Sequence, residues 1–130
     1  MAAAFLKRKG KDQEKAPQEV VIANQKIILN SRGLIPAIIQ RVSREQSIVL
    51  SLVYMNREAL EMSLKSGELY IYRRSKGRIE KAGEDTYSAV PIDTIMVDKN
   101  RRVLLVTVTG ERGTLPKQTF VQAIYPEEIR

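Results

Sequence analysis

Residues 33–67 read GLIPAIIQRVSREQSIVLSLVYMNREALEMSLKSG, and the fold turns on how this stretch is parsed. Ile35, Ala37 and Ile39 alternate with Pro36, Ile38 and Gln40, the period of a strand with one buried face. After the polar turn Ser43-Arg44-Glu45-Gln46 comes an apolar run, Ile48 to Met55, which suits a second, more deeply buried strand. Asn56 predicts the switch from strand to helix, because its side chain can accept from a free N–H of the first helical turn. Glu58 sets negative charge at the positive end of the helix dipole, and Gly67 supplies the left-handed residue that ends the helix. Ala59, Leu60, Met62, Ser63 and Leu64 form the expected inward stripe.

Working outward, Val20 to Leu29 reads as one strand or a pair of short strands, closed by the turn Asn30-Ser31-Arg32-Gly33. After Gly67, Leu69 and Ile71 fall on one face of a half-exposed strand and Tyr70, Tyr72 and Arg74 on the other. Ser75-Lys76-Gly77 makes a hairpin turn, Arg78 to Lys81 returns, and Ala82 to Asp85 breaks the strand. Tyr87 to Val97 alternates again with Pro91 at an edge or bulge, Asp98 to Arg101 turns with Asn100 at positive φ, and Arg102 to Thr109 completes a second hairpin. Gly110 to Lys117 is a loop and Gln118 to Tyr125 a last strand. About seven strands and one helix give an α+β fold with a mostly antiparallel sheet.

The 130 residues fit one domain, and a 43% hydrophobic content allows a real core. Residues 1–19 are different: Lys7, Arg8, Lys9, Lys11 and Lys15 among polar neighbours predict a flexible basic tail, with the domain occupying residues 20–130. The tail suits an acidic protein or nucleic-acid partner, or serves only solubility. No apolar run reaches about eighteen residues, so no membrane span and no membrane partner is expected, and the location expected is cytoplasmic.

Composition also limits the chemistry. The chain has no cysteine and no histidine, which removes thiolate nucleophiles, the usual zinc ligands and the commonest general base. No cofactor is expected. The formal charge of +7 points to an anionic partner, a nucleotide or phosphosugar among them. Seven aromatic residues show no basic-aromatic ladder for stacking bases.

Four clusters are chemically suggestive. Arg73, Arg74, Lys76 and Arg78 around one hairpin turn, with Lys81, could hold a phosphate or be a solvated basic hairpin. Gly83-Glu84-Asp85-Thr86 could bind a cation or ribose, or be a polar turn. Asp98 and Asn100 resemble half of a hard-cation site, but Lys99, Arg101 and Arg102 crowd it with positive charge. Gly110-Glu111-Arg112-Gly113 lacks the following helix that a phosphate cradle needs.

LIPAIIQ (34–40) and VLSLVYMNREALEMSLKSGELYIYRRSKG (49–77) resemble the phosphoribosyl-AMP cyclohydrolase family of histidine biosynthesis, whose members read LIPAIxQD and VLMLAYMNREAL in these places. YMNREAL is the most specific piece, and the likeness runs from Leu34 to Tyr125. The resemblance implies an intertwined homodimer and a metal-assisted hydrolytic ring opening. It also implies metal ligands: the family's DCDxD, with magnesium aspartates and a zinc cysteine, falls on Asp98, Lys99, Asn100, Arg101 and Arg102, where only the first carboxylate is kept. Two more zinc cysteines fall on Leu115 and Gln122. Family Trp-His-Lys-Gly-Glu falls on Glu80, Lys81, Ala82, Gly83 and Glu84.

From these departures the expectation is a pseudoenzyme on the cyclohydrolase scaffold that uses Arg73, Arg74, Ser75, Lys76, Lys81, Gly83 and Glu84 for an anionic ligand or a partner. Asp98, Lys99, Asn100, Arg102, Leu115 and Gln122 are then degenerate metal positions. A divergent metal-dependent hydrolase working through Glu84, Asp85 and Asp98, and a nucleic-acid-binding or assembly subunit, are the alternatives.

Overall fold

The structure is a computed structural model that describes residues 16–44, 46–83, 89–110 and 116–126. Its elements are β1 (Gln18–Ile22), β2 (Gln25–Leu29), β3 (Leu34–Val42), β4 (Ser47–Asn56), helix α1 (Arg57–Ser66), β5 (Tyr70–Arg73), β6 (Arg78–Lys81), β7 (Ile92–Val97) and β8 (Leu104–Val108). This is the expected α+β fold, with eight strands rather than about seven. Val20 to Leu29 folds as the pair of short strands, a hairpin, because Ala23 and Asn24 both take positive φ and close a tight turn.

A four-stranded sheet ordered β4-β3-β8-β7 forms the centre, and the hairpins β1–β2 and β5–β6 are separate two-stranded sheets. All strand pairs are antiparallel except β3 with β8, which run parallel from Ala37↔Leu104 to Arg41↔Val108. Ile35, Ala37 and Ile39 of β3 and Val106 and Val108 of β8 are fully buried. Around them pack Ile22, Ile27 and Leu29 from the first hairpin, Leu60 from the helix, and Leu69 and Ile71 from the start of the second hairpin.

The run in β4 is less uniformly buried than its composition predicts. Ile39 faces Ser51 and Gln40 faces Val49, so Leu50 is the extra residue of a β-bulge. The bulge turns Leu50 and Ser51 inward in succession and leaves Leu52 exposed. It also frees the Leu50 carbonyl from the ladder, and Thr119 N–H donates to it at 2.8 Å. Gln118 Nε2 donates to the neighbouring Val49 carbonyl at 2.8 Å.

Helix α1 starts and stops where its caps dictate. Asn56 has extended backbone and its Oδ1 accepts from Ala59 N–H at 2.8 Å, a cap worth about 1 kcal/mol. Gly67 ends the helix at φ +77°. Of the expected inward stripe, Ala59, Leu60 and Ser63 are buried, whereas Met62 and Leu64 are partly exposed, because the sheet covers a narrower face than the apolar stripe offers. Ser63 ties the helix to β5: its hydroxyl donates to the Ala59 carbonyl at 2.8 Å and accepts from Tyr70 N–H at 2.9 Å. The helix thereby sets where the second hairpin leaves the core.

Three local expectations are corrected. Gln118 to Tyr125 is not a strand; Thr119 makes a bond to β4, but Val121 and Ile124 are 80% and 91% exposed, too little contact to order a ladder. In the turn after β7, Arg101 rather than Asn100 takes positive φ, at +67°, because its carbonyl accepts from Ile28 N–H and its Nη1 donates to Gln25 Oε1. Gln18 and Glu19, assigned to the tail, belong to β1. No helix among the described residues is long and apolar enough to cross a membrane.

Candidate functional site

A cleft of about 450 Å³ opens between β4 and β5, lined among others by Arg32, Tyr54, Tyr72, Arg73, Arg74 and Ser75. Strand alternation explains its make-up. With Leu69 and Ile71 buried, Tyr72, the next residue along the strand, is carried on the opposite face, and the strand then runs out into the basic turn. Gly77 at φ +63° closes that turn, with Lys76 and Gly77 N–H both donating to the Arg73 carbonyl. Arg74 is stacked over Tyr54, its guanidinium carbon 4.1 Å from the ring centroid.

The basic cluster read from the sequence is divided. Glu80, on β6 and with its side chain only 8% exposed, takes Arg73 Nε on one carboxylate oxygen at 2.7 Å and Arg78 Nε on the other at 2.9 Å, with Lys76 Nζ at 3.7 Å. Arg74 and Arg32 stand outside this group and line the cleft. Lys81 lies opposite Tyr70 in the β5–β6 ladder and, like Gly83, does not line the cleft. Glu84 and Asp85 lie outside the described residues.

Arg73, followed by Arg78, holds the Glu80 carboxyl down from an ordinary 4.5 to about 2, against the opposing effect of burial and with help from the Lys76 charge. A carboxyl lowered by folding contributes stability that is fully present above pH 4.5 and is lost as pH falls from 4.5 through 2. In an acid titration followed by circular dichroism, Glu80→Gln is expected to flatten the loss of stability across that window. Parallel curves for the two proteins would show that the arginines contribute nothing through Glu80.

The other predicted positions are elsewhere. Asp98 Oδ1 accepts from Arg102 N–H at 2.9 Å and Val103 N–H at 3.1 Å, and the first of these bonds is the main reason its carboxyl is held below the usual range. Lys99, Asn100 and Arg102 are exposed on the same turn, which Arg101 fastens to β2. Gln122 is exposed and donates to the Ala123 carbonyl at 3.3 Å. Leu115 lies outside the described residues.

The zinc that the resemblance implies does not fit these residues. The chain offers no thiolate or imidazole anywhere, and among the described residues no three carboxylates converge as metal ligands. Asp98 is occupied as the acceptor that closes its own turn.

Arg32, Tyr54, Tyr72 and Glu80 are site residues that sequence reading missed. Arg32 is some forty positions from the hairpin, and no periodicity links the two. Glu80 had a signal: it is the one acidic residue among Arg73, Arg74, Lys76, Arg78 and Lys81.

Comparison with known proteins corrects the functional expectation. The family model for phosphoribosyl-AMP cyclohydrolase matches residues 51–116. The chain is 38% identical over 82 residues to a histidine biosynthesis bifunctional protein HisIE from Caldanaerobacter subterraneus subsp. tengcongensis, covering 63% of this chain and 39% of that protein. It is 38% identical over 79 residues to a phosphoribosyl-AMP cyclohydrolase from Pelotomaculum thermopropionicum, covering 61% and 60%. With the cyclohydrolase from Nitrosopumilus maritimus it shares 33% over 90 residues, covering 63% and 82%. The chain thus spans under two thirds of the first two relatives and most of the third. The matching family model and the last two relatives carry an enzyme's name, which overturns both the pseudoenzyme reading and the expectation that the chain is not an enzyme. The match runs from the middle of β4 through the capped helix and both later hairpins, and the chain belongs to the phosphoribosyl-AMP cyclohydrolase family.

Proposed function

We propose that the chain is a hydrolase acting on a phosphoribosyl nucleotide, with the cleft between β4 and β5 seating a phosphate of that substrate. The observation that carries this reading is the cleft itself: Arg32, Arg73 and Arg74 meet there beside the Ser75 hydroxyl and the tyrosines 54 and 72. Arginine guanidinium groups bind phosphate oxygens in pairs of parallel hydrogen bonds. Arg74, braced against Tyr54, loses little side-chain entropy when it does so. The cyclohydrolase name of the family model and of two of the relatives supplies the reaction class, hydrolytic ring opening. The chain's own residues supply the binding and orientation of the phosphorylated end. Incubation with phosphoribosyl-AMP tests the reading, since ring opening by water adds the mass of one water to the product. Substrate recovered at its original mass contradicts it.

The finer architecture proposed is an intertwined pair of copies. Phe120, Val121, Ile124 and Tyr125 are 61% to 91% exposed, and Leu52 on the neighbouring edge strand β4 is 45% exposed. Such apolar surface on one side of a small domain is a cost unless covered. Light scattering at micromolar concentration is expected to give twice the chain mass, and a chain mass independent of concentration argues against the pair.

A further inference from the structure

We propose that Glu80 sets the specificity of the cleft, limiting it to phosphate monoesters and disfavouring di- and triphosphates. This inference rests on the phosphate reading of the cleft and concerns how much positive charge the cleft presents. Arg73 lines the cleft, yet its Nε is committed to Glu80 at 2.7 Å, so the direction of its guanidinium is fixed from behind. Arg78 and Lys76, which could otherwise extend a positive track along the hairpin, share the same carboxylate at 2.9 and 3.7 Å. With its side chain only 8% exposed, Glu80 is a fixed counter-charge and not a solvated one. Arg32 and Arg74 remain as cleft cations outside this cluster.

Two unshared guanidinium groups match the one dianionic head of a monoester. A polyphosphate brings additional charge that would need Lys76 and Arg78 released from Glu80. Glu80 is accordingly a positioning residue. It acts on the ligand through Arg73, Lys76 and Arg78.

Calorimetric titration of the full chain with AMP and with ATP tests this, for the wild type, Glu80→Gln and Glu80→Asp. The wild type is expected to bind AMP at least as tightly as ATP. Glu80→Gln frees three cations and is expected to favour ATP by about tenfold relative to AMP, with a steeper dependence on salt. Glu80→Asp, which keeps the charge, is expected to restore the wild-type preference; a merely structural role would weaken both ligands alike. An unchanged AMP-to-ATP ratio in folded Glu80→Gln overturns the role of Glu80 while leaving the phosphate cleft standing. If neither nucleotide binds the wild type, the cleft reading and this inference fall together. Should Glu80→Gln not fold, Arg78→Gln, at an exposed position, is read instead: it leaves the carboxylate less neutralised and is expected to weaken ATP more than AMP. Equal weakening of both overturns the proposal.

Discussion

Arg74→Ala is expected to weaken binding of a phosphorylated ligand about tenfold to a hundredfold while leaving the melting temperature nearly unchanged. A hydrogen bond from a charged group contributes about 1.5–3 kcal/mol, and each 1.4 kcal/mol is roughly tenfold in affinity. The stability effect is smaller, because Arg74 is exposed and its contact with Tyr54 at 4.1 Å is worth about 0.5–1 kcal/mol at such a site. Arg74→Lys keeps the charge but loses the flat group that stacks on the ring, so it should recover only part of the affinity. Titration with AMP measures this. Wild-type affinity in Arg74→Ala would place the phosphate elsewhere.

The second large effect is on the core. Ile39 is fully buried on β3, between β4 and β8 and beside the bulge at Leu50. Removing its branched side chain leaves a cavity that the two flanking strands cannot close, and Ile39→Ala should cost about 2–5 kcal/mol. Small domains have only about 5–15 kcal/mol in total, so the variant should melt roughly 10–20 °C lower. Ile38→Ala, one position along on the other face, is the control and should cost much less. Equal losses at the two positions would mean that the alternation of burial along β3 is misread.

Those two residues show what could be read in the chain and what could not. β3, β4 and α1 follow from local signals: period-two alternation, a polar turn, an asparagine cap and a closing glycine, each acting over a few residues. The two later hairpins are legible for the same reason. Gln118 to Tyr125 has the composition of a strand, yet a strand also needs a partner along its length, and the segment meets β4 only around Thr119. Composition carries no information about that partner. The parallel pairing of β3 with β8 is a long-range contact and is equally invisible locally.

The site divides along the same line. Arg73, Arg74 and Ser75 were legible because they share one turn, whereas Arg32 and Tyr54 reach the cleft only through tertiary packing. Charge counting treated the hairpin cations as one group. Their separation depends on the direction of the Glu80 side chain, which spacing alone does not fix. The functional expectation failed differently. It weighed a few altered ligand positions above the likeness that runs through residues 51–116, and the comparisons reverse that weighting.

The most direct test of the account is turnover of phosphoribosyl-AMP by the full chain, run with divalent metals supplied and with a chelator, beside Arg74→Ala. Mass spectrometry of the product is expected to show the gain of one water for the wild type and a slower gain for the variant. Substrate recovered unchanged from the wild type under every condition would contradict it.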